Sequence, residues 1–125
     1  MEPVRGAVLL VEDETAVRAA SGRMLEKLGF EVVEAANGKE ALEVFQAHRD
    51  RIAFILLDVN MPEMDGLEAF KRLQEEGIDV PAIVTTGYDE YDLKRRHVRL
   101  GFASYLAKPF SMDALRTAID RALAP

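Results

Sequence analysis

The sequence predicts an α/β fold in which five strands and five helices alternate along one domain. Short apolar segments recur along the chain, and several are uninterrupted, as expected for parallel strands that are buried on both faces. Between these segments, apolar residues recur at helical spacing. Such alternation implies right-handed crossovers, so the strands are expected to form one parallel sheet that helices cover on both sides.

The first strand and the first helix are predicted near the N-terminus. The segment 7–11 is uninterrupted by polar residues and contains valines, which favours a buried strand. Gly29 is expected just past the end of the following helix, a position where glycine is common. The apolar residues expected on the inner face of that helix are Val17, Ala20, Met24, Leu25 and Leu28.

The second strand, predicted at 31–35, contains glutamates and is therefore placed at an edge of the sheet. Asn37 and Glu40 form a variant of the capping box, which predicts the start of the second helix. The segment 52–57 is the most apolar of the predicted strands and should be central. The inner face of the second helix is expected to contain Ala41, Leu42, Val44 and Phe45.

Three helices and two strands complete the predicted fold. The third helix is expected to end before Gly77, and strands are predicted at 80–84 and 104–107. Between these strands, a fourth helix is predicted at about 91–100, and Ser111 is expected to cap the fifth. The inner residues are expected to be Leu67, Phe70 and Leu73 in the third helix and Leu115, Ala118, Ile119 and Ala122 in the fifth.

Composition and charge exclude several classes of function. A chain of 125 residues fits a single domain, 1–125. It has no cysteine, which excludes a disulfide framework and a thiolate metal site and suits a cytoplasmic location. It has neither a signal-peptide layout nor an apolar run of about 20 residues that could cross a membrane. The net charge of −6 opposes direct nucleic-acid binding, although the basic run 94–99 could dock a protein.

Polar residues collect where the predicted strands end. Glu12 and Asp13 follow the first strand, Asp58 the third, Thr86 the fourth and Lys108 the fifth. The carboxyl ends of parallel strands meet at one edge of a sheet, where open α/β sheets place their functional residues. Each residue alone has a plainer explanation, such as a helix cap or a turn. Their occurrence at successive strand ends favours one shared site.

The charges of this cluster predict a metal site. Two unit charges about 4 Å apart repel by about 4 kcal/mol at an effective dielectric near 20, so Glu12, Asp13 and Asp58 need a cation among them. Carboxylate oxygens suit Mg²⁺, which can bridge a carboxylate and a phosphoryl oxygen. Lys108 supplies a second positive charge and Thr86 a hydrogen-bond donor. Asp58 is therefore predicted to be the nucleophile that forms an aspartyl phosphate.

Four motifs resemble those of the receiver domains of two-component response regulators. They are LLVEDE at 9–14, LDVNMPEMDG at 57–66, VTTG at 84–87 and YLAKPF at 105–110. The resemblance covers nearly the whole chain, with the motifs in order. It implies a flavodoxin-like, doubly wound sheet of five parallel strands with five helices. It also implies a signalling phosphoacceptor rather than an enzyme.

The resemblance further implies how the site binds its metal. Asp13 and Asp58 would ligate Mg²⁺ directly, together with the backbone carbonyl of Asn60. Glu12 would contact the Mg²⁺ ion through a water molecule. Asp58 would receive its phosphoryl group from a phosphohistidine on a histidine kinase or a histidine phosphotransfer protein. The acidic pair is Glu-Asp rather than Asp-Asp, a variation that the family accepts.

The remaining implied roles concern the phosphoryl group and its readout. Lys108 would bind the phosphoryl group, and the peptide bond between Lys108 and Pro109 would be cis. Thr86 and Tyr105 would form a switch pair, and Gly87 would leave the phosphoryl site open. A partner, or a second copy of the domain in a phosphorylation-dependent homodimer, could read the change. No membrane or direct nucleic-acid partner is expected. A complete single-domain regulator, the receiver of a hybrid kinase and a segment of a longer regulator all remain open.

Two other classes compete with this interpretation. A haloacid-dehalogenase phosphatase also uses an aspartate at a strand end with Mg²⁺, but it needs a second aspartate where Asn60 stands. A flavodoxin-like nucleotide-binding module needs a phosphate cradle after the first strand. The acidic segment 12–14 would repel phosphate there unless a metal intervened. Turnover of a phosphate ester and a flavin absorbance spectrum would discriminate these classes.

Overall fold

A computed structural model describes residues 6–58, 66–86 and 101–124. Five strands and four helices lie within these ranges. The helix predicted at about 91–100 lies outside them. The elements are β1 (Ala7–Val11), α1 (Thr15–Lys27), β2 (Glu31–Ala35), α2 (Gly38–His48), β3 (Ile52–Asp58), α3 (Gly66–Glu75), β4 (Ala82–Thr86), β5 (Ser104–Ala107) and α4 (Met112–Leu123).

The strands form one parallel sheet in the order β2-β1-β3-β4-β5, which confirms the predicted flavodoxin-like topology. The strand β2 is at an edge and β3 is central, as their apolar content predicted. The strand order reverses between β1 and β3, so this is the switch point at which such sheets bind ligands. Val11 lies opposite Leu57 in the register, which brings the ends of β1 and β3 side by side.

Two hydrophobic cores lie on opposite faces of the sheet. One packs alternate residues of the strands against α2 and α3, with Phe45, Phe70 and Phe102 among its members. The other packs the intervening strand residues against α1 and α4, with Leu25 and Ile119 among its members. Because both faces are covered, β1 and β4 are buried along their whole length. This burial explains the continuous apolar sequence of β1, whereas β4 ends in two buried threonines.

The inner face of α1 differs from the prediction. Ala20 is exposed, whereas Ser21, Gly22 and Leu25 are buried. A Cβ atom on Gly22 would lie 3.9 Å from Cδ2 of Leu10, so this face of the helix runs close to the sheet. A search for large apolar residues at helical spacing misses a contact face that is built partly from small residues.

The third and fourth strands extend further toward their carboxyl ends than predicted. The strand β4 covers 82–86 rather than 80–84 and begins directly after Pro81. The carbonyl of Pro81 accepts a hydrogen bond from the Ile55 amide of β3 at 2.9 Å. Asp58 is the last residue of β3 rather than the first residue after it. The predicted site residues at these two ends, Asp58 and Thr86, therefore lie within the paired part of the sheet.

The predicted helix caps are confirmed. Oδ1 of Asn37 accepts a hydrogen bond from the Glu40 amide at 2.9 Å, and the Glu40 carboxylate accepts one from the Ala36 amide at 3.1 Å. Ser111 caps α4 by accepting a hydrogen bond from the Ala114 amide at 3.1 Å. Among the described residues, no helix has the length and apolar character required to span a membrane.

Candidate functional site

Three carboxylates converge at the switch point of the sheet. Glu12 and Asp13 directly follow β1, and Asp58 ends the neighbouring strand β3. One oxygen from each carboxylate lies within 4.8 Å of the others. Glu12 and Asp58 are each only 3% exposed, and Asp13 is partly buried. The convergence expected from the strand ends is therefore present.

Lys108 enters the same site from β5. Its Nζ lies 3.1 Å from Oδ2 of Asp58, and it also donates to the carboxylate of Glu12. The backbone places this side chain, because the amide of Lys108 donates to the carbonyl of Thr86 at 2.9 Å. The peptide bond between Lys108 and Pro109 is cis, as the resemblance implied.

Burial and charge together change the proton affinities of the site. The pKa of Glu12 is raised to about 7, chiefly because burial disfavours its charged form. The hydrogen bond from Lys108 opposes this rise, and the charge of Asp58 adds to it. Burial by itself would lower the pKa of Lys108. The hydrogen bond to Glu12 and the charge of Asp58 outweigh that effect, so the pKa of Lys108 is raised.

The donor set fits a hard divalent cation. Three carboxylates face one ammonium, so the site carries an excess of negative charge when all of these groups are ionised. Carboxylate oxygens are the ligands that Mg²⁺ prefers in proteins. Asn60, which the resemblance adds as a carbonyl ligand, lies outside the described residues, as do Gly87 and the basic run 94–99.

The two predicted switch residues lie on neighbouring strands. Thr86 is the last residue of β4 and is 2% exposed. Tyr105 on β5 pairs in register with Val84, two residues before Thr86. Because side chains alternate between the faces of a strand, Thr86, Val84 and Tyr105 share one face. Tyr105 is partly buried and packs against the core on the α2 and α3 side.

Sequence reasoning assigned no role to two residues beside the site. Thr85 lies opposite Asp58 in the register, is buried, and donates a hydrogen bond to the carbonyl of Leu57 at 3.5 Å. Arg18 on α1 donates to the carbonyl of Glu12 at 2.8 Å. Hydrogen bonds to backbone carbonyls leave no pattern of residue types in the sequence. Thr85 is the first of the two threonines in the motif at 84–87, and its place in that motif was the only signal for it.

The chain belongs to the response regulator receiver domain family, whose family model matches residues 8–120. It is 33% identical over 116 residues to sporulation initiation phosphotransferase F of Bacillus subtilis, an alignment that covers 93% of this chain and 92% of that protein. It is 39% identical over 116 residues to the sensor kinase CckA of Brucella abortus, covering 93% of this chain and 12% of the kinase. The transcriptional regulatory proteins PdtaR of Mycobacterium tuberculosis and CrdR of Helicobacter pylori match over about half of their own length.

Solved structures agree with this assignment. The chemotaxis protein CheY4 of Vibrio cholerae superposes with a TM-score of 0.82 at 33% sequence identity, covering 94% of this chain and 98% of CheY4. The protein is therefore a phosphoacceptor domain of two-component signalling, with an acidic pocket formed by Glu12, Asp13 and Asp58.

Proposed function

We propose that Asp58 is the residue that accepts the phosphoryl group. The observation that carries this proposal is the position of its carboxylate, which is buried at the end of the central strand 3.1 Å from the ammonium of Lys108. Glu12 and Asp13 flank it from β1, within the same 4.8 Å cluster. Asp58 therefore combines a nucleophilic oxygen with groups that can stabilise the charge of an incoming phosphoryl group.

Mg²⁺ is the proposed cofactor of this reaction. Asp13 and Asp58 would hold it directly with the backbone carbonyl of Asn60, and Glu12 would act through water. When bound, the ion supplies positive charge between the carboxylates and the phosphoryl oxygens. The cluster of carboxylate oxygens around Asp58 supports this proposal.

The residues of the site then act in defined ways. An oxygen of Asp58 attacks the phosphorus of a phosphohistidine, the new P–O bond forms, and the P–N bond breaks with its electron pair returning to the imidazole. Lys108 binds one oxygen of the transferred group and Thr86 donates a hydrogen bond to another. The burial of Asp58 limits access of water to the acyl phosphate.

The proposed phosphoryl donor is a histidine kinase or a histidine phosphotransfer protein in the cytoplasm. The similarity to a sporulation phosphotransferase and to a sensor kinase supports a place in a phosphorelay. A phosphorylation-dependent homodimer is proposed as one form of output, without direct contact to nucleic acid or membrane.

Phosphorylation with a small donor tests the assignment. Incubation of the chain with Mg²⁺ and acetyl phosphate should add one base-labile phosphoryl group, measured by intact mass. Asp58→Ala should lose this group. Asp113→Ala should retain it, because the Asp113 side chain on α4 is 93% exposed and outside the cluster. A phosphoryl group that persists on Asp58→Ala would refute the assignment.

A further inference from the structure

Arg18 connects the acidic loop after β1 to the edge strand of the sheet. It lies in the first turn of α1, and its side chain is 19% exposed. Its guanidinium donates to the carbonyl of Glu12 at 2.8 Å and reaches the carbonyl of Asp13 at 3.5 Å. Nε of the same group lies 3.5 Å from Oε1 of Glu34 on β2.

These contacts hold the backbone that directs two of the three carboxylates. The amide of Glu12 is bonded to the carbonyl of Ala35 at 3.0 Å, so the sheet fixes one side of this residue. Arg18 binds the carbonyl on the other side and the next carbonyl along the chain. Because the amide of Glu12 and the carbonyls of Glu12 and Asp13 are all hydrogen-bonded, the side chains of these two residues leave the backbone in fixed directions.

The charge of Arg18 would by itself work against a divalent cation, because like charges repel. Glu34 offsets that charge, since its carboxylate pairs with the guanidinium on the side of β2. The planar guanidinium can bind carbonyls and a carboxylate at the same time, which a lysine ammonium does with less geometric control. Arg18 could therefore weaken metal binding through its positive charge, or strengthen metal binding by holding the backbone of Glu12 and Asp13.

We propose that Arg18 is a positioning residue for the metal site, which sets the directions of Glu12 and Asp13 through their backbone carbonyls. The inference rests on the proposed binding of Mg²⁺ to this cluster. It predicts that loss of the guanidinium weakens Mg²⁺ binding even though a nearby positive charge is removed.

Calorimetric titration of metal-free protein with Mg²⁺ tests the proposal. Arg18→Met keeps most of the apolar stem and removes every donor. Its Kd for Mg²⁺ should rise about 10-fold, as for the loss of other groups that orient metal ligands. Arg18→Lys should give a Kd between those of wild type and Arg18→Met. Arg23→Met, at an exposed position on the same helix, is the matched control and should bind as wild type does.

Melting in chelator separates this role from a purely structural one. If Arg18 only stabilised the fold, Arg18→Met would melt lower in chelator while its Kd stayed within about twofold of wild type, and that result would overturn the proposal. Tighter binding by Arg18→Met would also overturn it, because charge repulsion would then dominate. Absence of Mg²⁺ binding by wild type would instead refute the proposed function, so the two failures are distinguishable.

Discussion

Nζ of Lys108, which directly follows β5, lies 3.1 Å from Oδ2 of Asp58 at the end of β3, so the lysine side chain reaches past the intervening strand β4. The same ammonium donates to Glu12, so one side-chain cation contacts two buried carboxylates. Under the proposed function, Lys108 would bind the phosphoryl group and would compete with Mg²⁺ for the carboxylate oxygens of Glu12 and Asp58.

Asp58→Asn should stabilise the protein in the absence of metal. The substitution removes one of three neighbouring carboxylate charges, and the relief of repulsion should be on the order of 1 kcal/mol after solvent screening. Wild type and variant should be melted in chelator and then with Mg²⁺. The variant should melt higher in chelator and gain less from Mg²⁺, because ligand binding stabilises only the form that binds. Equal melting temperatures in chelator would contradict this argument.

Lys108→Met should have the opposite effect in chelator. Without the ammonium, the buried carboxylates lose a hydrogen-bonded cation, and the free energy of unfolding should fall by about 2 kcal/mol. Mg²⁺ should then raise the melting temperature more in the variant than in wild type, since the ammonium no longer competes for the same oxygens. Lys71→Met, at an exposed position on α3, is the control. A Mg²⁺ effect no larger than that of wild type would show that Lys108 does not compete.

The stability of the metal-free protein should depend on pH through Glu12. Its folded-state pKa is raised from 4.5 to about 7, so the folded protein holds this proton more tightly than the unfolded chain does. The stabilisation is fully present below pH 4.5 and is lost as the pH rises toward and through 7. Glu12→Gln cannot titrate, so its stability in chelator should rise relative to wild type between pH 5 and 8, by about 2 kcal/mol. A difference that stays constant over this range would show that the Glu12 carboxyl does not titrate there.

The Thr86 and Tyr105 pair should respond to a phosphoryl group on Asp58. A hydrogen bond from Thr86 to the phosphoryl group would draw its hydroxyl toward Asp58 and vacate space on the face that it shares with Tyr105. The Tyr105 ring, which is only partly buried, should then turn further inward. A ligand shifts such an equilibrium only through differential contacts, which here are the new hydrogen bond and the newly buried ring.

Structures of the protein without ligand and with beryllofluoride and Mg²⁺ provide the measurement for this switch. Beryllofluoride is expected to occupy the place of the proposed phosphoryl group on Asp58. Wild type should show a displaced Thr86 and a changed Tyr105 rotamer, whereas Thr86→Ala should bind the same ligands with less change at Tyr105. If neither residue moves in wild type, the signal must leave through another surface.

Much of this architecture could be predicted from the sequence for a simple reason. Parallel strands that are covered on both faces must be apolar throughout, so 7–11 and 52–57 stand out without any knowledge of the fold. Helix caps are equally local, because Asn37 and Ser111 act on amides three residues away. Polar residues at the ends of apolar strands then indicated where the site lies.

The tertiary structure decided two kinds of feature: contacts between residues that are far apart in the sequence, and hydrogen bonds to backbone groups. Lys108 and Glu12 are separated by 96 positions, and only the order of β1, β3, β4 and β5 brings them together. Burial of Glu12 in the packed fold raises its pKa, and the hydrogen bond from Lys108 opposes that rise. Arg18 binds backbone carbonyls, which every residue possesses, so no pattern of residue types in the sequence indicates this contact. Ser21 and Gly22 are both buried, and Gly22 lies close to Leu10 of β1 because α1 approaches the sheet closely. The pattern of apolar residues in the sequence indicates which segments form strands and helices. The burial of individual side chains, the distances between them and the interactions of their charges are set by how those elements pack.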